Sequence, residues 1–135
     1  MQDHYQRISM ELDKICTSLE LSKRLCELGI KQVSLFSWSN IDTPYPRLIP
    51  SNYELERSGD YLVSAYTCAE LGVLFPTGFS YVKVMDKSSC LYSYEVAGTR
   101  FYNQDDNEAN LRARALIRMI EENIITAEEV NGRMG

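Results

Sequence analysis

The chain has 135 residues, enough for one domain to bury roughly two-thirds of its unfolded surface without metal or disulfide staples. Apolar residues make up 44% and charged residues 24%, a globular balance that excludes wholesale disorder. The net charge of -5, with no run of basic residues, argues against a partner held mainly through phosphate charge, and no apolar run approaches the roughly eighteen residues of a membrane span.

Tyr5, Ile8, Leu12 and Ile15 recur at helical spacing and predict a short helix over residues 5–15. A second helix is expected over residues 18–28. Thr17 and Glu20 have the spacing of a capping box, in which each side chain satisfies a backbone donor that the helix start leaves open. Leu21, Leu25 and Leu28 line one face of it, and Gly29 suits the left-handed residue that closes a helix.

"KQVSLFSW" then reads as a strand, with Val33 and Leu35 on one face and Phe36 and Trp38 on the other. Apolar residues on both faces imply burial on two sides or a ligand on one. Pro44, Pro46 and Pro50 predict an irregular segment over residues 39–58, long enough to be functional or mobile. Thr67 and Glu70 repeat the capping-box spacing before a short helix. "YVKVMDKSSCLYSYEV" is a hairpin pattern with turn residues at 86–89, and "TRFYN" supplies a third strand. A long helix is expected near residues 107–124, with Asp105 as its cap and Glu108 completing an Asp version of the box. Ala109, Ala113, Leu116 and Ile120 make its buried stripe, and the small residues permit close packing against the sheet or a second subunit. A Thr126–Glu129 box starts a short terminal helix.

Few groups suggest chemistry. His4 is the only histidine and lies in the terminal segment, which leaves no base for a Ser-His or Cys-His pair. The acids Asp105, Asp106 and Glu108 stand at a helix start, where they complement the helix dipole and diverge too far to converge on a metal. Arg118 can pair with Glu122. Arg114 shares a face with Arg118, and the two can grip a phosphate or carboxylate or simply pair with Glu121 and Glu122. Cysteines 16, 26, 68 and 90 have no C-x-x-C spacing, and Cys68 is either a small core residue or a thiol at a helix start. The first twenty residues carry Asp3, Glu11, Asp13 and Lys14 and lack the apolar core of a secretory signal. Thiols in a reducing, cytoplasmic compartment are therefore expected. No catalytic residue, metal or cofactor is implied.

Aromatic residues are plentiful, with nine tyrosines in the chain. Phe36, Trp38, Tyr45 and Tyr53 surround Arg47 in sequence, and Tyr92, Tyr94, Phe101 and Tyr102 fall on the strands near Arg100. Aromatic faces beside an arginine suit a planar base and its phosphate; they equally suit a protein interface, or a sheet whose tyrosines simply reach the surface. Trp38, Arg47, Arg100 and Tyr102 are the candidate ligand residues. As pure ligand contacts, Trp38 and Arg100 should be replaceable by Ala without loss of the fold.

"CTSLELSKRLCELGIKQVSLFSW", "SAYTCAELGVLFP" and "NEANLRARALIRMIEENII", in that order and spacing, resemble a family of small uncharacterised proteins from phages and prophages. The likeness covers somewhat under half of the chain and is most specific at 28–38 and 107–123. It implies a phage origin, a bacterial host cytoplasm and action by binding. A host protein would be blocked, or a small nucleotide-like host-defence signal sequestered, the latter commonly by homo-oligomers. A nucleic-acid-associated regulator using one T-x-x-E helix is the alternative. The expected fold is one α+β domain, a small mostly antiparallel sheet packed with N-terminal helices and one long C-terminal helix.

Overall fold

The computed structural model describes residues 12, 14–39, 45–51, 61–75, 80–85, 90–96, 99–105 and 107–134, with the strands between 80 and 105 given by backbone course and pairing. The fold is α+β. In chain order its elements are α1 (Leu19–Glu27), β1 (Phe36–Ser39), β2 (Arg47–Pro50), β3 (Tyr61–Ala65) and α2 (Cys68–Gly72). Then follow β4 (Ser80–Met85), β5 (Cys90–Val96), β6 (Thr99–Asp105), α3 (Glu108–Glu121) and α4 (Ala127–Arg133). The strands form two three-stranded antiparallel sheets, ordered β2-β1-β3 and β4-β5-β6. Among the described residues no helix is long and apolar enough to cross a membrane.

The expected helix over 5–15 lies mostly outside the described residues. Leu12 closes a final turn by accepting bonds from the N–H groups of Ile15 and Cys16. Leu12 is buried, whereas Ile15 is half exposed and so leaves the apolar face predicted for it. The start of α1 also differs from expectation. Ser18 is the cap, its hydroxyl accepting from Leu21 N at 3.3 Å. Thr17 is buried one residue earlier and ties α1 to the end of β3: its hydroxyl accepts from Tyr66 N at 3.0 Å and meets Ser22 Oγ at 2.7 Å.

The helix ends as the sequence predicts. Gly29 has φ +91°, the N–H of Gly29 bonds to Cys26 O and that of Ile30 to Leu25 O, which together make a Schellman closure. An added methyl at Gly29 has room, the nearest atom being Ala127 Cβ at 3.8 Å. The cost of Gly29→Ala is therefore backbone strain alone, about 1–2 kcal/mol, read as a lower urea midpoint with an unchanged slope.

The strand predicted over 31–38 begins only at Phe36, where Ala65 and Pro50 become available as partners on the two sides. Upstream of it the backbone is held by side chains instead. Arg47–Pro50 corrects the expectation of irregular structure throughout 39–58. Pro50 is tolerated because it ends a strand on the sheet edge, where one N–H is not needed by a neighbour. The capping box at α2 forms as predicted, with Thr67 N to Glu70 Oε1 at 2.9 Å and Glu70 N to Thr67 Oγ1 at 3.3 Å. The hairpin and third strand also form as a meander; its turn residues 86–89 lie outside the described residues.

Asn107, not Asp105, caps α3. Asp105 is the last residue of β6, while the Asn107 side chain accepts from Ala109 N at 2.7 Å and Asn110 N at 3.2 Å. The same amide donates to the Cys16 carbonyl at 2.8 Å, a bond that an aspartate cannot make. α3 packs against α1 and α2 and runs close to β5 and β6. One apolar core joins the four helices through Leu25, Leu71, Leu116, Met119 and Val130. Ala109 and Ala113 are buried within it, so that face is spent inside the chain and is not open to a second subunit. Thr126 caps α4 by accepting from Glu129 N at 3.1 Å.

Candidate functional site

The four sequence-predicted ligand residues are distributed over different faces. Trp38 stands opposite Leu48 and Val63 and packs with Phe36 on Leu12, Cys16, Leu48 and Ala65. Its indole N–H donates to the Thr17 carbonyl at 3.1 Å. Arg47 stands opposite Ser39, one position from Leu48, and strand alternation therefore puts it on the other side of the sheet from Trp38. That side is well covered: Arg47 is 8% exposed, and Ser37, Ser39, Ile49 and Ser64 are buried. Arg100 and Tyr102 alternate on β6 and share a face of the second sheet, at register positions opposite Glu95 and Ser93. The opposite face of that sheet carries the row Tyr81, Tyr94 and Phe101, followed by the row Lys83, Tyr92 and Asn103.

The arginines of α3 divide by role. Arg112 donates to the Cys68 carbonyl at 3.1 Å and meets Glu108 at 3.5 Å, fastening α3 to the start of α2. Arg118 pairs with Glu122 at 3.6 Å, as its spacing predicts. Arg114 and Arg118 line a groove of about 430 Å³ between α3 and α1, with Glu20, Arg24 and Glu27 on the facing wall. Arg24 bridges that groove, 3.3 Å from Glu27 and 3.8 Å from Glu121. A smaller hollow of about 220 Å³ brings Cys68 near Lys14 and Glu108. Cys16, Cys26 and Cys68 are thiols, and among the described residues no cluster of His, Cys, Asp or Glu is placed to hold a metal ion.

A third feature escaped the sequence reading. Val33, Leu35 and Val73 are 56%, 65% and 67% exposed. The side chains of Val33 and Val73 and the backbone of Leu35 lie beside Glu70. Its carboxylate, already part of the α2 cap, accepts from Leu35 N at 3.1 Å, and Val33, Glu70 and Val73 line one hollow of about 190 Å³ with Tyr66, Leu74 and Met134 at its walls.

The backbone that presents these side chains is fixed from several directions. Tyr66 Oη donates to the Lys31 carbonyl at 2.6 Å, and Asn131 Oδ1 accepts from Lys31 N at 2.7 Å. Gln32 accepts from Ser64 N at 2.8 Å and donates to the Ile30 carbonyl at 3.0 Å. A segment without regular structure is thus clamped by buried and half-buried polar groups while its apolar residues face outward. "KQVSLFSW" is apolar on both faces, and here Val33 and Leu35 are open to solvent while Phe36 and Trp38 pack on the core.

Comparison of the chain with protein-family models, with curated proteins and with solved structures gives no match.

Proposed function

We propose that this chain is a non-catalytic binding protein of phage type that acts in the cytoplasm of a bacterial host by occluding a host protein. The observation that carries the reading is the apolar group Val33, Leu35 and Val73, held out on a hydrogen-bonded platform. Exposed apolar residues that cluster mark interaction surfaces more often than scattered ones do. Their burial is favourable by about 25 cal/mol for each Å² removed from water. A clamped backbone also loses little further freedom on binding, which leaves more of that gain for affinity. The rims of the hollow, Glu70 and Arg133, supply one charge of each sign for orientation.

The test is a substitution that changes the surface and spares the core. The triple variant Val33→Asp, Leu35→Asp, Val73→Asp should keep its melting temperature and lose at least about a hundredfold in affinity for the partner. The partner is the host protein captured by wild type and absent with the variant, then purified and titrated against both. Equal affinity of the two would remove the apolar group from the account.

A small nucleotide-like ligand is the second reading. It is favoured by the row Tyr81, Tyr94 and Phe101 with Lys83 in the adjacent row, a placement that suits a planar base and its phosphate. Native mass spectra with cyclic and ADP-ribose-type nucleotides separate the two, because only this reading predicts a retained ligand mass.

A further inference from the structure

We infer that the protein segment covering Val33, Leu35 and Val73 presents a basic side chain, an arginine or lysine, to Glu70 within an otherwise apolar contact; this rests on the reading of that group as the binding surface. The Glu70 carboxylate is held by two backbone amides from separate parts of the chain. Its Oε1 accepts from Thr67 N at 2.9 Å and its Oε2 from Leu35 N at 3.1 Å. Pinned at both oxygens, it does not swing out to water when a partner arrives. Among the described residues no cation pairs with it, the arginines of known pairing being engaged with Glu27, Glu108, Glu121 and Glu122.

Covering the apolar group therefore covers Glu70 as well. Val33, Glu70 and Val73 line the same hollow of about 190 Å³, and Leu35 is joined to Glu70 through its amide. A carboxylate that loses its remaining water without gaining a cation sets a cost against the apolar gain. A guanidinium or ammonium removes that cost, because each carboxylate oxygen keeps a further lone pair for a charge-assisted bond. Arg133 and Lys31 make no matching demand for an acid. Both are exposed and keep their charged ends in water beside a seated partner, and Arg133 already donates to the Leu74 carbonyl at 2.8 Å. The net charge of -5 adds a long-range attraction of the same sign. A small amine is too narrow an occupant, since Leu35 stands beside the hollow and not among its walls.

The test uses three labelled amphipathic peptides with leucines on one face, alike except for an Arg, a Gln or a Glu within that face. Each is titrated against the full chain by fluorescence anisotropy, and amide NMR locates the contact. The Arg peptide should bind about tenfold or more tightly than the Gln peptide, with the Glu peptide weakest. It should also shift the Leu35 amide, whose N–H is bonded to Glu70. Glu70→Gln should erase the difference between the Arg and Gln peptides. That variant gives up one of the two amide bonds, so circular dichroism checks its fold, and the ranking on the wild-type chain decides by itself if it does not fold. Equal binding of the three peptides at residues 31–36 and 69–75, a preference for Glu, or no peptide bound there would overturn the inference. Failure of the reading beneath it has a different signature: the triple Asp variant would then bind the peptides as wild type does.

Discussion

Asn107→Ala is expected to destabilise the chain by about 3 kcal/mol. Two losses add. Removal of the cap strands the N–H groups of Ala109 and Asn110 at the start of α3, worth about 1 kcal/mol. The Cys16 carbonyl, in a buried residue, loses the amide that donates to it, at a cost of about 1–3 kcal/mol. Asn107→Asp divides the two terms. It preserves the cap and adds a charge favourable to the helix dipole, yet it cannot donate to Cys16. If Asp were more stable than Asn in urea by the full helix-dipole gain, about 0.3–1 kcal/mol, the link between α3 and Cys16 would have no energetic weight, and the cap alone would explain the position.

Trp38→Ala should cost a similar amount, about 3 kcal/mol, the low end for a tryptophan because the ring is only half buried. The ring covers Leu12, Cys16, Leu48 and Ala65, and its N–H engages the Thr17 carbonyl. Thr17 is in turn bonded to Tyr66 and Ser22, so the loss reaches the junction of α1 and β3. Trp38→Phe retains most of the packing and gives up one hydrogen bond, for about 1 kcal/mol. Whatever Trp38 offers a ligand, its Ala variant is then a stability variant first. An unchanged urea midpoint for Trp38→Ala would restore it to the surface role that its sequence neighbours suggest.

The parts of the fold legible in the sequence are those set by neighbours along the chain. Gly29 closes α1, Thr67 and Glu70 bracket α2, and the β4–β5–β6 strands follow their alternation, because each of these depends on a few consecutive residues. The errors share a different cause. Thr17 has the spacing of a cap but is drawn away by Tyr66, 49 positions along. Asn107 displaces Asp105 because Cys16, 91 positions away, needs a donor. Arg47–Pro50 reads as a proline-rich loop until β1 is there to pair with it.

The candidate site follows the same rule. Alternation in "KQVSLFSW" is real, yet Val33 and Leu35 are exposed because Gln32, Tyr66, Glu70 and Asn131 take over the backbone bonds that a neighbouring strand would have made. Three of those four residues are more than thirty positions distant, so no local pattern could announce the platform. The arginines of α3 were visible as a motif. Their division between Arg112, which fastens α2, and Arg114 and Arg118, which line a groove, needed the packing of α1.

Hydrogen–deuterium exchange of the chain, with and without its captured host partner, tests the central claim most directly. The account predicts added protection confined to peptides covering residues 31–36 and 69–75, the two stretches that carry Val33, Leu35 and Val73. Protection that falls instead on the strands between 80 and 105, with residues 31–36 unchanged, would contradict it and assign binding to the second sheet.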